Sequence, residues 1–153
     1  MEIERIKDQM YRTFYSDSWD AGSVNEILSG INVEEASSRP LEGRHSIWEL
    51  MLHMEIWKRV ARKALEGEKM GRISPEEDWP PMGDVSEEEW AREVEGLKEE
   101  HEALVGAPTH MSDEHLGGTL PRRSYTFYTL LQGVIHHDIY HLGQIAILKD
   151  KKE

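Results

Sequence analysis

The sequence predicts an all-α protein, an up-down bundle of four long helices with a long crossover between the second and the third. Apolar residues recur at spacings of three and four along four stretches, the period of a helix that buries one face. Turn-forming residues separate these stretches, and no alternation of apolar and polar residues indicates strands. Because 153 residues is a usual size for one domain, we expect a single domain over residues 1–153.

The first two long helices are predicted over residues 2–19 and from Ser46 to about Gly67. In the second, Ser46 and Glu49 fit a capping box at the start, and Gly67 suits a C-terminal cap. The stretch between the two helices, residues 20–40, is broken and has room for a short helix. In the first helix, one face carries the apolar residues Ile3, Ile6, Met10 and Phe14.

The third and fourth long helices are predicted from Ser86 to about Val105 and from near Ser124 to about Lys149. Glu89 follows Ser86 by three residues, which predicts a second capping box. The fourth helix has apolar residues around almost its whole circumference, so we expect it to be the most buried of the four. The stretch before Ser86 is rich in proline and glycine, and its length suits the crossover.

The composition excludes several classes of function. There are 30 acidic and 18 basic residues, a formal net charge of −12, so the surface should repel nucleic acid and anionic membranes. The absence of cysteine excludes disulfides and thiolate metal sites. No apolar run approaches the roughly 18 residues of a membrane span, and the charged N-terminal stretch does not resemble a secretory signal. We therefore expect a cytoplasmic protein that binds neither nucleic acid nor membranes.

The segment HHDIYHLGQI, residues 136–145, places three histidines on the fourth predicted helix. Successive helical residues turn by about 100°, so His137 and His141 share a face that looks toward the core, whereas His136 points elsewhere and is interpreted as a surface residue. A buried polar group without a partner costs about 1–3 kcal/mol, and one chelated metal ion would remove that cost. Alternatively, the two are core histidines that bond to backbone carbonyls or to each other through water.

A third histidine lies on the second predicted helix, where His53 interrupts an apolar pattern. Its helical position is beside Trp57, Val60 and Ala64, at the edge of the buried face. On its own, such a histidine is usually a core residue with a satisfied hydrogen bond. Together with the pair on the fourth helix, it would complete a three-histidine metal site built from two helices.

These two helices carry a family resemblance. The segments LMLHMEIW and HHDIYHLGQIAIL, with the long crossover between them, closely resemble the DinB-like (damage-inducible, YfiT-like) four-helix bundle family, and the resemblance covers essentially the whole chain. It implies that His53, His137 and His141 hold one divalent metal ion, with water in the remaining positions. It also implies a homodimer.

Three neutral imidazole ligands would leave an open coordination position, which in zinc proteins distinguishes catalytic sites from closed structural ones. A metal ion in such a site lowers the pKa of a bound water, or of a bound external thiol, toward neutrality. Either would supply a nucleophile to a chain that has no cysteine. We expect zinc or nickel, with iron or copper as alternatives, because nitrogen ligands suit all four metals.

Three further side chains are candidates for catalysis, and each has a structural alternative. Glu49, one turn before His53, could act as a general base or accept a hydrogen bond from that histidine; the favoured alternative is that it only closes the capping box. Gln144 could bond a ligand histidine or a metal-bound water, or simply the neighbouring helix. Tyr140 could offer its hydroxyl to a substrate or close a pocket, although an aromatic side chain in a bundle usually belongs to the core.

Other side chains receive structural interpretations. Asp138 is expected to pair with a loop, a cap or a basic side chain, and Gly143 to let another helix approach closely. Trp48, Leu52 and Ile56 form a second apolar strip on the second helix, which either packs under the N-terminal segment or, as we favour, makes a dimer contact. The remaining histidines are expected to be solvated: His45, His101, His110 and His115.

Two classes of function follow. Some members of the resembled family are metal-dependent S-transferases that join low-molecular-weight thiols, such as bacillithiol or mycothiol, to electrophiles, and a relative isomerises maleylpyruvate using a thiol. The resemblance therefore implies an enzyme in which a metal-activated thiol, or water in a hydrolase, attacks a small-molecule substrate. The alternative is a non-catalytic metal-binding stress-response protein whose ion mainly stabilises the bundle.

Overall fold

The computed structural model describes residues 1–15, 22–68 and 71–149, and every regular element in these ranges is helical apart from one isolated bridge between Thr119 and Thr126. The all-α prediction is therefore confirmed. Across the described ranges, none of the helices combines the length and the hydropathy that a membrane span requires. In chain order the elements are α1 (Glu2–Tyr15), α2 (Val24–Ser29), α3 (Val33–Ser37), α4 (Ile47–Leu65), α5 (Pro75–Asp78), α6 (Glu87–Gly106), a 3-10 turn (Ala107–His110), α7 (Asp113–Leu116) and α8 (Phe127–Lys149).

Four long helices form the body of the fold, namely α1, α4, α6 and α8. Helix α4 packs against both α6 and α8, and α1 packs against α8 and α6. Two apolar clusters fill the space between them, one around Trp48 and Met51 of α4 and the other around Ile6, Ala61 and Leu131. Burying one large apolar side chain stabilises the fold by about 1.5–3 kcal/mol. Helix α4 is the central helix of the structure, because the short helices of both neighbouring segments, α3 and α5, also pack on it.

Helices α1 and α4 begin where the sequence predicts. Residues 16–19 of the first predicted helix lie outside the described residues. Helix α4 follows Ser46, whose hydroxyl accepts a hydrogen bond from the Glu49 N–H at 3.2 Å while the Glu49 carboxylate accepts one from the Ser46 N–H at 2.8 Å. Just past the end of α4, Gly67 has a φ of 79°, so the predicted glycine cap is also confirmed.

Helix α6 begins after Ser86 as predicted, but one detail of its cap and the start of α8 differ from the predictions. Ser86 caps α6 by accepting a hydrogen bond from the Glu89 N–H, but the Glu89 carboxylate pairs with Arg92, so the second half of the predicted capping box does not form. Helix α8 begins at Phe127 and not near Ser124. The reason is the tight turn before it, in which backbone groups bond to one another and cannot join the helix.

The segments between the long helices hold shorter ones. The broken stretch before α4 contains two short helices, where the sequence predicts one, and each begins with a reciprocal capping box, led by Ser23 and by Asn32. The crossover between α4 and α6 contains α5, a single turn that Ser74 caps and that Pro75 starts with a favourable φ. Because α5 packs on α4, it brings the end of this turn, Asp78, next to the central helix.

The second apolar strip of α4, formed by Trp48, Leu52 and Ile56 and called here the Trp48 strip, is not a dimer contact. The Trp48 side chain is 0% exposed within the single chain, and its ring centroid lies 5.3 Å from that of Trp90 on α6. Leu52 is buried as well, and Ile56 is partly buried. The interpretation favoured from the sequence is therefore wrong, because α3 and α6 cover this face of α4.

A charged cluster lies in the core between α4, α6 and α8. Lys58 and Asp138 form an ion pair whose side chains are 1% and 3% exposed, so Asp138 has the basic partner that was one of its predicted alternatives. Lys58 Nζ also lies 3.3 Å from His101 Nδ1. His101 is buried and stacks on Phe14, so the prediction that it is solvated is wrong. Burial, aided by the Lys58 ammonium, lowers the pKa of His101 to about 2, and the neutral ring can accept a hydrogen bond from Lys58.

Breaking this buried ion pair should destabilise the fold strongly. Asp138→Asn leaves the Lys58 ammonium buried without its counter-charge, which we expect to lower the free energy of unfolding by about 3–5 kcal/mol. The double substitution Lys58→Met and Asp138→Leu removes both charges and should recover most of that loss. Urea denaturation of the metal-free protein measures both changes.

The matched control is Asp8→Asn, which breaks the exposed ion pair with Arg12 on α1. It should leave the urea midpoint essentially unchanged, because solvent already screens that pair. A double variant of Lys58 and Asp138 that is as unstable as the single one would contradict the expectation.

Candidate metal centre

Three imidazole rings meet between α4 and α8. His53 lies on α4, and His137 and His141 lie one turn apart on α8. His137 Nε2 is 3.1 Å from His53 Nε2 and 3.1 Å from His141 Nε2. Within the described part of the chain this is the one group of three side chains placed to hold a metal ion, with ligand atoms all within 4.8 Å of one another. The fold therefore brings together the three histidines that the sequence singles out.

The outer nitrogens of two of these rings already have partners. His53 Nδ1 lies 2.8 Å from the backbone carbonyl oxygen of Asp78 and 3.1 Å from its Oδ1. His141 Nδ1 lies 2.6 Å from Gln144 Oε1. These oxygen atoms accept hydrogen bonds, so each Nδ1 carries a proton and donates it. The Nε2 lone pairs of both rings then face the shared centre, the arrangement that orients histidines for a metal ion.

The three Nε2 atoms at the centre therefore have too few N–H donors for hydrogen bonds between them. A neutral His137 can donate one N–H at most, yet its Nε2 faces two acceptor nitrogens at equal distance. Burial, and then the neighbouring His141 and His53, lowers the pKa of His137 to about 3. Burial also lowers the pKa of His141. Both rings are therefore neutral at neutral pH, the form that binds metal, and a cation at the centre would satisfy all three nitrogens.

An aromatic side chain of the crossover stacks on one ring of the cluster. Trp79, directly after α5, lies flat between His45 and His53, with ring-centroid separations of 3.6 and 3.9 Å. Trp57 Nε1 donates a hydrogen bond to Asp78 Oδ1 at 2.7 Å, which holds the same segment against α4. The crossover thus orients His53 both at its Nδ1 and on the face of its ring.

Sequence reasoning missed this contribution of the crossover. Asp78 and Trp79 stand in a stretch without a helical period, so no spacing rule places them near His53. The signal that could have indicated them is a tryptophan beside an acidic residue in a turn-rich loop. A large apolar ring in a loop usually packs against another part of the fold, since leaving it exposed to water is unfavourable. His45 is exposed, as predicted for a solvated residue, but its ring is held against Trp79.

Two cavities, which share no lining residue, border the histidines. The smaller, of about 240 Å³, is apolar and borders His137. The larger, of about 510 Å³, borders His141 and Gln144, and Arg44 and Tyr140 give it a polar edge. A small molecule could therefore approach the cluster beside His137 or beside His141.

The three catalytic candidates lie in different surroundings. Gln144 bonds His141, as one interpretation of the sequence predicts. Tyr140 is 65% exposed and packs edge-on to His141, so the expectation that it belongs to the core is wrong. The Glu49 carboxylate is engaged by its capping box and by Arg39. Burial raises the pKa of Glu49, but these hydrogen bonds outweigh it and lower the pKa below its usual range, which makes this residue a poor base.

Three other histidines and one glycine lie on the surface. His136, His110 and His115 are exposed, as predicted. Gly143 is also exposed, and a Cβ built there would meet no atom of the described residues within 4 Å. The prediction that Gly143 lets another helix approach closely is therefore wrong.

The hydrogen bonds to Asp78 and Gln144 predict one tautomer, protonated at Nδ1, for both His53 and His141 in the metal-free protein. Long-range proton–nitrogen NMR correlations distinguish this tautomer from the form protonated at Nε2. Gln144→Ala should give a mixture of tautomers at His141 and leave His53 unchanged, because only His141 loses its acceptor. Protonation at Nε2 in both wild-type rings would show that the outer hydrogen bonds do not set the tautomer.

Comparison with known proteins identifies the family. The model of the DinB superfamily matches residues 18–145, which is more than half of the chain and includes the crossover and all three histidines of the cluster. Neither the curated proteins nor the solved structures gave a match. The chain belongs to the DinB superfamily.

Proposed function

We propose that the protein binds one divalent transition metal ion through His53, His137 and His141. The observation that carries this proposal is the convergence of three Nε2 atoms, two of them on rings whose Nδ1 protons are already donated elsewhere. Membership of the DinB superfamily, which includes metal-binding proteins, supports it. Three nitrogen ligands suit zinc or nickel, and also iron or copper.

The proposed ion would serve catalysis. Three protein ligands leave at least one coordination position for an external group, whereas structural zinc sites are closed by a fourth protein ligand. Among the described residues, no fourth histidine or carboxylate joins the group. The cavities beside His137 and His141 support access of small molecules to that position.

The reaction class we propose is the joining of a low-molecular-weight thiol to a small electrophile. When bound, the metal ion would lower the pKa of a coordinated thiol, or of water in a hydrolase variant of the same site. The larger cavity suits a polar thiol, because Arg44 on its edge pairs with no carboxylate of the described residues and could bind an acidic group of the thiol. Gln144 would keep His141 oriented, and the exposed Tyr140 hydroxyl would contact the substrate.

A non-catalytic metal-binding role is the second candidate, and the crossover favours it. Asp78 and Trp79 hold His53 from outside the bundle, so an ion bound at His53 would also anchor the crossover to α4. In that role the ion would stabilise the fold without admitting external ligands. Entry of a thiol into the coordination shell therefore separates the two candidates.

The homodimer also remains a proposal. With the Trp48 strip buried, the exposed Ile139 of α8, which lines neither cavity beside the histidines, supports this helix as the contact. The net charge of −12 still argues against nucleic acid and anionic membranes as partners.

Metal binding should be stoichiometric and should depend on the three histidines. Metal-free protein titrated with zinc is expected to take up one ion and to melt at a higher temperature, because an ion that binds only the folded state stabilises it. His141→Ala should abolish that gain. Gln144→Ala, which removes the acceptor for His141, should weaken zinc binding about 10–100-fold.

Two matched substitutions on the same helix, His136→Ala and Gln132→Ala, should leave zinc binding unchanged, since neither residue touches the cluster. Elemental analysis of protein purified without a metal-charged column provides an independent check. No stoichiometric metal there, together with no stabilisation by zinc or nickel, would reject the metal proposal.

A small thiol should enter the shell of the metal-loaded protein. With cobalt as the bound ion, a coordinated thiolate should add a sulfur-to-cobalt charge-transfer band in the near ultraviolet. Arg44→Ala should weaken binding of mercaptoacetate but not of 2-mercaptoethanol, because only the former carries a carboxylate. If no thiol or other external ligand alters the cobalt spectrum, the enzyme proposal fails and the non-catalytic role stands.

A further inference from the structure

We propose that the apolar cavity beside His137 binds the uncharged, apolar part of a small molecule, a group about the size of one six-membered ring. That the cavity binds an apolar group follows only from the side chains that line it. That this group is part of the electrophilic substrate rests on the proposed function.

The lining of the cavity is apolar and comes mainly from the two helices that carry the histidines. No Asp, Glu, Lys or Arg is among its lining residues, and apart from the histidine its polar groups are an indole and two hydroxyls. The apolar walls are formed by Trp57, Val60 and Ala61 on α4 and by Leu130, Gly133 and Val134 on α8.

The absence of charge determines the kind of group that fits. A carboxylate or an ammonium that entered the cavity would lose its hydration without gaining an ionic partner, which is strongly unfavourable. The buried charges of Lys58 and Asp138 cannot compensate it, because they are paired with each other. An apolar group gains free energy from the same transfer in proportion to the area it buries.

The volume determines the size of the group. At about 240 Å³ the cavity exceeds the roughly 150 Å³ of an apolar cavity that holds one benzene molecule. It is smaller than the roughly 300–1,000 Å³ that enclose a drug-sized ligand. A single ring or a branched aliphatic group fits, and a larger molecule would have to extend beyond the cavity. Because His137 forms part of the wall, such a molecule has a route toward the histidine cluster.

Gly133 offers a direct way to close the cavity. It lies on α8 in the cavity wall, and a Cβ built there would meet no atom of the described chain within 4 Å. A larger side chain could occupy the cavity without displacing the core, and Leu has a higher helix propensity than Gly. Gly143 on the same helix is equally open but lines neither cavity, so it is the matched control.

Fluorine NMR of two aromatic probes tests the proposal. Metal-free protein is titrated with fluorobenzene and with 4-fluorobenzoate, which adds a carboxylate to the same ring. Fluorobenzene should bind saturably, and the affinity for 4-fluorobenzoate should be lower by about tenfold or more. Gly133→Leu should weaken fluorobenzene binding by about tenfold or more, whereas Gly143→Leu should leave it unchanged.

Three results would each overturn the proposal. They are no saturable binding of fluorobenzene to the wild-type protein, equal affinity for the charged probe, and unchanged affinity in Gly133→Leu. Circular dichroism shows whether that variant is folded. If it is not, Thr129→Phe closes the same cavity from its exposed rim and must give the same loss of affinity.

The fluorobenzene titration and the thiol titration of the cobalt-loaded protein together separate this inference from the proposed function. If fluorobenzene binds and Gly133→Leu excludes it, the cavity proposal stands even where no thiol enters the cobalt shell. If a thiol enters the shell and fluorobenzene does not bind, the enzyme proposal stands and the cavity proposal fails.

Discussion

Lys58 on α4 and Asp138 on α8 meet where water does not reach, and the arrangement of the bundle depends on that ion pair. Two charges are tolerated in a core only when they neutralise each other at close range. The pair therefore restricts how α8 can rotate or slide against α4, because another register would leave both charges buried and alone. Since Asp138 directly follows His137, the same register sets where the α8 histidines lie relative to His53. The buried ion pair and the candidate metal centre thus share one helix–helix contact.

The crossover orients one of the histidines that the two helices bring together. Helices α4 and α8 bring three Nε2 atoms together, but the Asp78 carbonyl decides which nitrogen of His53 carries the proton. That carbonyl is in place because Ser74 and Pro75 start a short helix whose end lies against α4. Ordering this segment costs conformational entropy, which its contacts with the central helix offset. The crossover is therefore part of the candidate centre, because its residues determine how His53 is oriented.

Features with a local signal could be predicted from the sequence. The helical period and the Ser46 cap define α4, and the spacing of His137 and His141 puts both on one face of α8. The buried His101 and the covered Trp48 strip could not be found in this way. Each depends on packing against segments distant in the chain, and periodicity says nothing about which segment covers a given face. The displaced start of α8 has a related cause, because a backbone turn competes with the helix for the same hydrogen-bonding groups.

The indole of Trp79 lies flat against the ring of His53, 3.9 Å away, and no other tryptophan among the described residues stacks in this way on a histidine of the cluster. Its fluorescence therefore senses the electronic state of that imidazole at van der Waals range. Anything that draws electron density from His53, or that lifts the crossover from it, changes the environment of an intrinsic fluorophore. We therefore expect the fluorescence of Trp79 to change when an ion binds at the candidate centre, over the constant signal of the tryptophans that lie away from it.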